Sequence, residues 1–424
     1  MRVAVIGAGI IGITTAYELA MDGHEVTVIE RRGAAAEESS FANAGIVAPG
    51  YVTPWAAPGM PGKVLAHLFR RHSPVKLSLP LSSRELAWMW KWLGACKLET
   101  YLANRARLSR LAFYSRKRLH AITAARQLEY ERSDGYTVLL RSAKDSRLIQ
   151  PGLQVLREAG VAFREIDADQ ARQIEPAINP DTRFLGAVHL PGDEAANCRQ
   201  FALLLKNEAQ ALGVNFAFNT AVVQLDRAQP ATLFIAGSDQ SYSFDAVVMC
   251  AGLDSAGLLM PLGLKIPMVA VHGYSISATI REPLNAPRSA LMDERYKVAI
   301  TRLGNRIRVA GGAEIGGVPG RHRASSINTL YKVLQDWFPG AAQLSSASGS
   351  VQLWKGARPM LPDGPPVIGP SGLSGLWLNL GHGSSGWALS CGSARALADL
   401  MAGRPAEINM EGLGIDRLTV SGTS

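Results

Sequence analysis

Residues Val3 to Glu30 read VAVIGAGIIGITTAYELAMDGHEVTVIE, and this stretch decides the fold. Val3, Val5 and Ile6 form a short apolar run without polar alternation, as a strand buried on both faces requires. Gly7, Gly9 and Gly12 follow with G-x-G-x-x-G spacing. The first glycine permits a sharp turn, the second lets backbone approach a pyrophosphate, and the third packs a helix close against the strand. The spacing predicts a helix from Ile10 and Ile11 to about Met21, with free N–H groups and the helix dipole favouring negative charge at its start. Gly23 ends it, and Glu25 to Ile29 alternate as a second strand. Glu30, next to Arg31, stands about 20 residues after the turn, where an acid binds ribose hydroxyls. The plain alternative is a tight helix–strand contact with Glu30 solvated. A secretory leader is a further alternative because Arg2 precedes an apolar run, but Glu18 and the three glycines argue against it. Glu30 would repel the 2′-phosphate of NADP and leaves NAD and FAD open at this point.

The bulk numbers are those of a globular protein. The chain has 424 residues, 47% apolar and 19% charged, enough for two sizeable domains. No uninterrupted apolar stretch approaches the roughly 18 residues of a membrane span. Cys96, Cys198, Cys250 and Cys391 are scattered without a C-x-x-C pair, which fits a reducing, cytoplasmic compartment and argues against zinc or a disulfide framework. The net charge of +9 is uneven. Between Lys63 and Arg126 fourteen basic residues, Arg70 and Arg71 among them, face only Glu85 and Glu99, so this segment carries +12 and the rest of the chain −3. The segment reads as helical, with Leu86, Met89, Trp90 and Leu93 on one face and Leu108, Leu111, Ala112, Ser115 and Leu119 on another. Trp88, Trp90 and Trp92 beside basic charge suit a membrane surface. Nucleic acid is the alternative partner, but no nucleic-acid motif accompanies the charge. A solvated face over a core stripe is the plain alternative.

Nucleotide-type elements recur along the chain. After Glu30 comes a loop, RRGAAAEESSFANAGIVAPGYVTPWAAPGMPGK, whose aromatic and apolar residues mark it as functional. Strands are expected at Tyr136–Leu140 and Gly186–Leu190, and VNFAFNTAVVQL reads as strand-like. A helix is expected from Cys198 to Leu212, and FDAVVMCAG (Phe244 to Gly252) is a second fully apolar strand running into glycine. Alternating strands fill Val269 to Ala313, and helices are expected at Ser326–Trp337 and from about Ser384 to Met401. The expected division is 1–62, 186–260 and 346–424 for the nucleotide fold, with 63–185 and 261–345 forming a second, α+β domain with a mostly antiparallel sheet. NAD-dependent dehydrogenases usually carry the nucleotide fold as one block, so this dispersed, Rossmann-like pattern points to a flavoprotein.

With these blocks in view, the sequence resembles the flavin-dependent D-amino-acid oxidase superfamily, closest to its D-amino-acid dehydrogenase branch. SSFANAGIVAPGYVTPWAAPGMP (Ser39 to Pro61) is the most specific portion. PGDEAANCRQFA, HGYSISAT, KVAITRLGNRIRVAGGAEI, KGARPMLPDGPPVIGP and GHGSSGWALSCGSARALADLMAG follow in the expected order. Members typically read threonine and leucine at Ser384 and Ser385. The resemblance implies an α/β, glutathione-reductase-type FAD-binding domain. It implies that Ser39, Ser40, Ala44, Gly45 and Ile46 flank the cofactor, that Val222 offers backbone to adenine, and that Ala251 and Gly252 lie beside the phosphates. Gly381, His382, Gly383, Ser384, Ser385 and Gly386 form a turn opening a helix, whose N–H groups would stabilise the negative charge of a reduced flavin. Relatives with covalent flavin use a histidine where Ala42 stands or a cysteine near Arg358, so non-covalent FAD is expected.

The resemblance assigns Arg358 to the substrate carboxylate, a role that suits arginine's bidentate geometry. The plain alternative is a structural salt bridge with Asp363 or Glu314. A tyrosine often assists in this superfamily; its place is Val298 here, and Tyr274, Tyr51 or Tyr296 are substitutes, Tyr274 being named with Arg358 as the catalytic pair. The implied reaction is hydride transfer from Cα of a D-amino acid to flavin N5, giving a 2-oxo acid and ammonia, with a quinone or dye as electron acceptor and no general base. An oxygen-using oxidase of a glycine, sarcosine or D-proline type substrate, and a non-catalytic flavin-binding subunit, are the competing readings.

Overall fold

The computed structural model describes residues 1–67, 72–318, 320–344 and 351–419. Arg70 and Arg71 of the basic segment lie outside the described residues. The opening stretch folds as read: Arg2–Ile6 is a strand, Ile10–Met21 a helix, and Glu25–Ile29 a second strand parallel to the first. The apolar mid-chain run becomes the strand Ala246–Met249, parallel to the other side of Arg2–Ile6. Leu376–Leu380 joins it in parallel, Val367–Pro370 closes that edge antiparallel, and Asn215–Ala217 completes the opposite edge. This six-stranded sheet therefore draws on three distant stretches of chain, with its central strands buried on both faces.

One face packs the helices Ile10–Met21, Cys198–Ala211, Leu98–Arg126 and Gly386–Met401 into a single apolar core. At its centre the fully buried Glu18 accepts two hydrogen bonds from Arg118, at 2.6 and 2.8 Å, and one from Arg395 at 2.9 Å. The neighbouring cations of the long helix are spoken for in the same way. Arg116 reaches Asp193 at 3.1 Å, Lys117 meets Glu407, and Arg126 stands 3.8 Å from Glu208. Charges segregated along the sequence are thus interleaved in space.

The second sheet has ten strands and is mostly antiparallel. Val351–Met360, Val269–Thr279, Arg306–Gly316, Val298–Leu303 and Ala290–Asp293 run side by side, followed by Ser133–Leu140, Gly186–Ala195 and the short Ile46–Val47. Ala290–Asp293 pairs in parallel with Ser133–Leu140, and Val75–Ser78 in parallel with Arg306–Gly316. The helix Ala324–Trp337 covers one face through Leu330, Val333, Leu334 and Trp337.

Four expectations are corrected. Gly186–Ala195 and Val351–Met360 belong to this larger sheet rather than to the nucleotide fold. VNFAFNTAVVQL breaks at Phe218–Ala221, sending Asn215–Ala217 and Val222–Leu225 to different sheets. The basic segment is not helical throughout, because Val75–Ser78 finds a free strand edge. Along the helix Ser83–Ala95 the predicted stripe is turned outward: Leu86, Trp90 and Leu93 are 55%, 78% and 43% exposed. Trp88 and Trp92 are buried instead, their rings stacked 6.4 Å apart, and Trp88 Nε1 donates to the Met360 carbonyl at 2.9 Å. The helix carries apolar residues on two faces, and tertiary packing selects the one that buries more ring area.

Candidate active site

The C-terminal ends of Arg2–Ile6, Glu25–Ile29 and Ala246–Met249 open into a cavity of about 870 Å³, whose far wall is the uncovered face of the larger sheet. Such crevices at strand ends are where open α/β sheets bind ligands. Every residue expected at the cofactor lines it except Gly12. Gly12 serves the helix–strand contact instead: a Cβ there would stand 1.8 Å from the Gly7 carbonyl oxygen. Gly7, at φ +102°, would bring a Cβ to 2.7 Å from the Cys250 carbonyl oxygen. Neither position tolerates a side chain, so the turn keeps bare backbone where a pyrophosphate would lie.

Glu30 turns its carboxylate into this turn, accepting the N–H groups of Ala8 at 2.7 Å and Arg32 at 2.8 Å. Ser40 Oγ accepts the Ile10 N–H at 3.0 Å, and Ser39 donates to the Ala357 carbonyl at 2.5 Å. The two serines thereby stitch the long loop to the start of the first helix and to the larger sheet. Arg31 bridges Glu38 at 3.0 Å and Asp254 at 2.7 Å across the rim. Val222 begins its strand beside Ala251 and Gly252 on the cavity wall. Cys250 lines the same wall, and burial pushes its thiol up to about 12, so it is held as a neutral thiol.

The GHGSSG turn is a short 3-10 segment, Gly383–Ser385, running into the helix Gly386–Met401, so that helix begins at the cavity. His382 is wholly enclosed, and burial depresses its imidazole to about 3. Its Nε2 lies 3.0 Å from Ser393 Oγ, which itself donates to the Leu389 carbonyl at 2.6 Å. The assignment that satisfies both is a neutral ring donating from Nε2, which fixes the turn and leaves no role in proton transfer at that nitrogen.

The Ala42–Gly45 backbone forms a second wall. Ser275 Oγ donates to the Ala42 carbonyl at 2.9 Å, Arg308 Nη1 to that of Asn43 at 3.1 Å, and Thr301 Oγ1 to that of Ala44 at 2.8 Å. The Gly45 carbonyl accepts the Ala196 N–H at 2.6 Å, and Ile46 begins the adjoining strand.

Arg358 is half-buried in the cavity wall without an ion pair among the described residues, and desolvation lowers its guanidinium to about 10. Its Nη1 donates to the Gly312 carbonyl at 2.9 Å. Both acids that could have claimed it are engaged elsewhere: Asp363 with Arg417 at 2.9 Å, Glu314 with Lys355 and Arg323, each at 3.1 Å. Cross-strand pairing sets Gly273 opposite Gly356 and Tyr274 opposite Lys355. Arg358, Gly273 and Gly356 therefore share the cavity face, and the Tyr274 side chain takes the other. There its hydroxyl donates to Glu314, and burial, aided by that carboxylate, raises its pKa. Tyr274 still touches the cavity, but with its only proton committed to Glu314 it has none for a substrate carboxylate, which corrects the expectation placed on it. Val298 also faces the helix-covered side, and Tyr296 packs on Arg141 and Lys332, away from the cavity. Tyr51 does line it, edge-on to Tyr136 with ring centroids 5.3 Å apart.

Tyr136, Trp354, Lys297 and Arg84 are wall residues that sequence reading missed. Only Trp354 left a signal, in Gly356: a Cβ there would fall 1.6 Å from the indole, so the ring lies across bare backbone as the Arg358 guanidinium does over Gly273.

A model of the family described as FAD dependent oxidoreductase matches residues 2–400. The chain is 43% identical over 424 residues to a D-amino acid dehydrogenase of Cereibacter sphaeroides, covering 100% of this chain and 96% of that relative. It is 41% identical over 419 residues to the D-amino acid dehydrogenase of Bradyrhizobium diazoefficiens, covering 98% and 99%. An L-proline dehydrogenase structure from P. horikoshii superposes with a TM-score of 0.76 at 16% identity, covering 100% and 99% of the two chains, a likeness of fold.

Proposed function

The chain belongs to the FAD dependent oxidoreductase family, and from that premise we propose that it oxidises D-amino acids to 2-oxo acids and ammonia. The observation that carries this reading is Arg358, a half-buried guanidinium with no acid partner among the described residues, facing the cavity that the family's cofactor would share. Such a cation is complementary to a carboxylate and costly to keep without one.

Bound FAD, held without a covalent link, supplies the acceptor for the hydride that leaves Cα. Arg358 holds the substrate carboxylate, and Trp354 and Tyr51 bound the space left for the side chain. The helix Gly386–Met401 directs its free N–H groups at charge developing on the cofactor. The imine product then takes up water outside any acid–base pair of this chain. Orientation and electrostatics are the protein's contribution.

Electrons leave to a quinone or dye in this reading, and the exposed stripe of Leu86, Trp90 and Leu93, flanked by Arg84, Lys91 and Lys97, is a docking face for an anionic membrane surface. Arg84 lines the cavity from the start of the same helix, which puts that face beside the cavity mouth.

Anaerobic mixing of the holoprotein with D- and L-amino acid panels tests the reaction. Bleaching of the flavin by D isomers alone is expected; bleaching by neither, or by L alone, overturns it. Peroxide formed in air would favour the oxidase reading instead.

A further inference from the structure

The clamp on the Ala42–Gly45 backbone contains a charge that neither folding nor carboxylate binding requires. Ser277, Arg308 and Thr301 stand abreast on three neighbouring strands. Arg308 is 6% exposed, with Nε donating to Ser277 Oγ at 2.9 Å and Nη1 to the Asn43 carbonyl at 3.1 Å. No carboxylate pairs with it among the described residues; Glu131 acts on it only through space. Ser275 and Thr301 show that neutral hydroxyls suffice to hold the flanking carbonyls. The middle position alone uses a cation, and burying an unpaired one is costly.

We propose that Arg308 sets the reduction potential of the bound flavin. It turns the Asn43 oxygen away from the cavity and leaves a net positive charge behind the wall. Reduction by hydride adds two electrons and one proton, so the flavin gains negative charge. A cation in a low-dielectric surround favours that state over the neutral oxidised one. Arg308 is a positioning residue, since Asn43 stands between it and the cavity.

The test is an anaerobic redox titration of the holoprotein against a reference dye, with no amino acid present. Its outcome is therefore independent of which substrate the enzyme takes. Arg308→Met should lower the preference for reduced over oxidised FAD at least tenfold, a fall of about 30 mV in the two-electron midpoint. Arg308→Lys, which keeps the charge, should stay within threefold of the wild type. Ser275→Ala and Thr301→Val should weaken FAD binding to the apoprotein severalfold and leave the midpoint unchanged. An unchanged midpoint in Arg308→Met overturns the proposal, and so does an equal shift in the two hydroxyl variants. Should Arg308→Met not fold, a tenfold loss of preference in Arg308→Lys is sufficient to reject it.

Discussion

A methyl group on Gly273 would stand 2.3 Å from Nη2 of Arg358 and 2.6 Å from its guanidinium carbon. The arginine is held flat against bare backbone, and the glycine is as much a part of the proposed carboxylate fork as the cation. Gly273→Ala should displace the guanidinium and forfeit hydrogen bonds to a charged group that contribute about 1.5–3 kcal/mol. The expected result is a KM for the preferred D-amino acid raised roughly tenfold to a hundredfold, with FAD content unchanged. Arg358→Leu should do the same or more. Steady-state kinetics with flavin quantitation checks both, and an unchanged KM would remove the pair from the site.

Glu18 ties three helices together from a position with no solvent access, through Arg118 and Arg395. Glu18→Gln removes the charge while nearly conserving shape, leaving the Arg118 guanidinium short of its acid while Arg395 keeps Asp22 and Asp399. Breaking a buried pair of this kind costs about 3 kcal/mol or more. Thermal unfolding of the holoprotein should move down by several degrees, while the flavin spectrum stays as it is. A wild-type melting temperature would mean that Arg118 finds another acid.

Glu314 accepts hydrogen bonds from Ser78 and Tyr274 and pairs with Lys355 and Arg323. Burial raises its pKa, but hydrogen bonds from Ser78, Tyr274 and Lys355 outweigh it and hold the carboxyl at about 2. A carboxylate held lower in the folded state than in the unfolded one stabilises the fold fully above its ordinary value of 4.5. That contribution fades as the pH falls from there toward 2. Glu314→Gln should therefore flatten the stability profile between these limits while lowering stability at neutral pH. Equal slopes in the two proteins would contradict the assignment.

The proposed docking stripe on Ser83–Ala95 allows membrane binding to be tested apart from folding, because the helix's two faces hold different tryptophans. Trp90→Asp, on the open side, should leave the melting temperature unchanged and abolish cosedimentation with vesicles rich in anionic lipid. Trp88→Ala should destabilise by about 3 kcal/mol or more, the cost of removing a large buried ring. Wild-type protein should come off the vesicles at high salt. Failure of the wild type to bind at low salt would end the docking idea.

How much of this was legible before folding depends on whether the physics is local. Gly7 and Gly12 could be read because a turn that excludes Cβ atoms needs glycine whatever surrounds it, while Arg358 was singled out through the family resemblance its motif carries. The helix at Gly386 announced itself by its glycine-rich start. The Tyr274 side chain was misjudged because strand alternation assigns a face only once the pairing partner is known, and here the partner is Lys355. The outward turn of Leu86, Trp90 and Leu93 was hidden for the same reason, since the helix offers two apolar stripes. Arg308 gave no signal at all, because its meaning lies in a backbone carbonyl 265 residues away.

The Ala42–Gly45 turn belongs by sequence to the nucleotide-binding half, yet its carbonyls are fastened to three strands of the other sheet. Such a rivet across the seam forbids the two halves from swinging apart like a clamshell. Access to the interior must therefore come through the mouth beside Arg84, and the molecule should melt in one cooperative step with the pigment released at the same temperature.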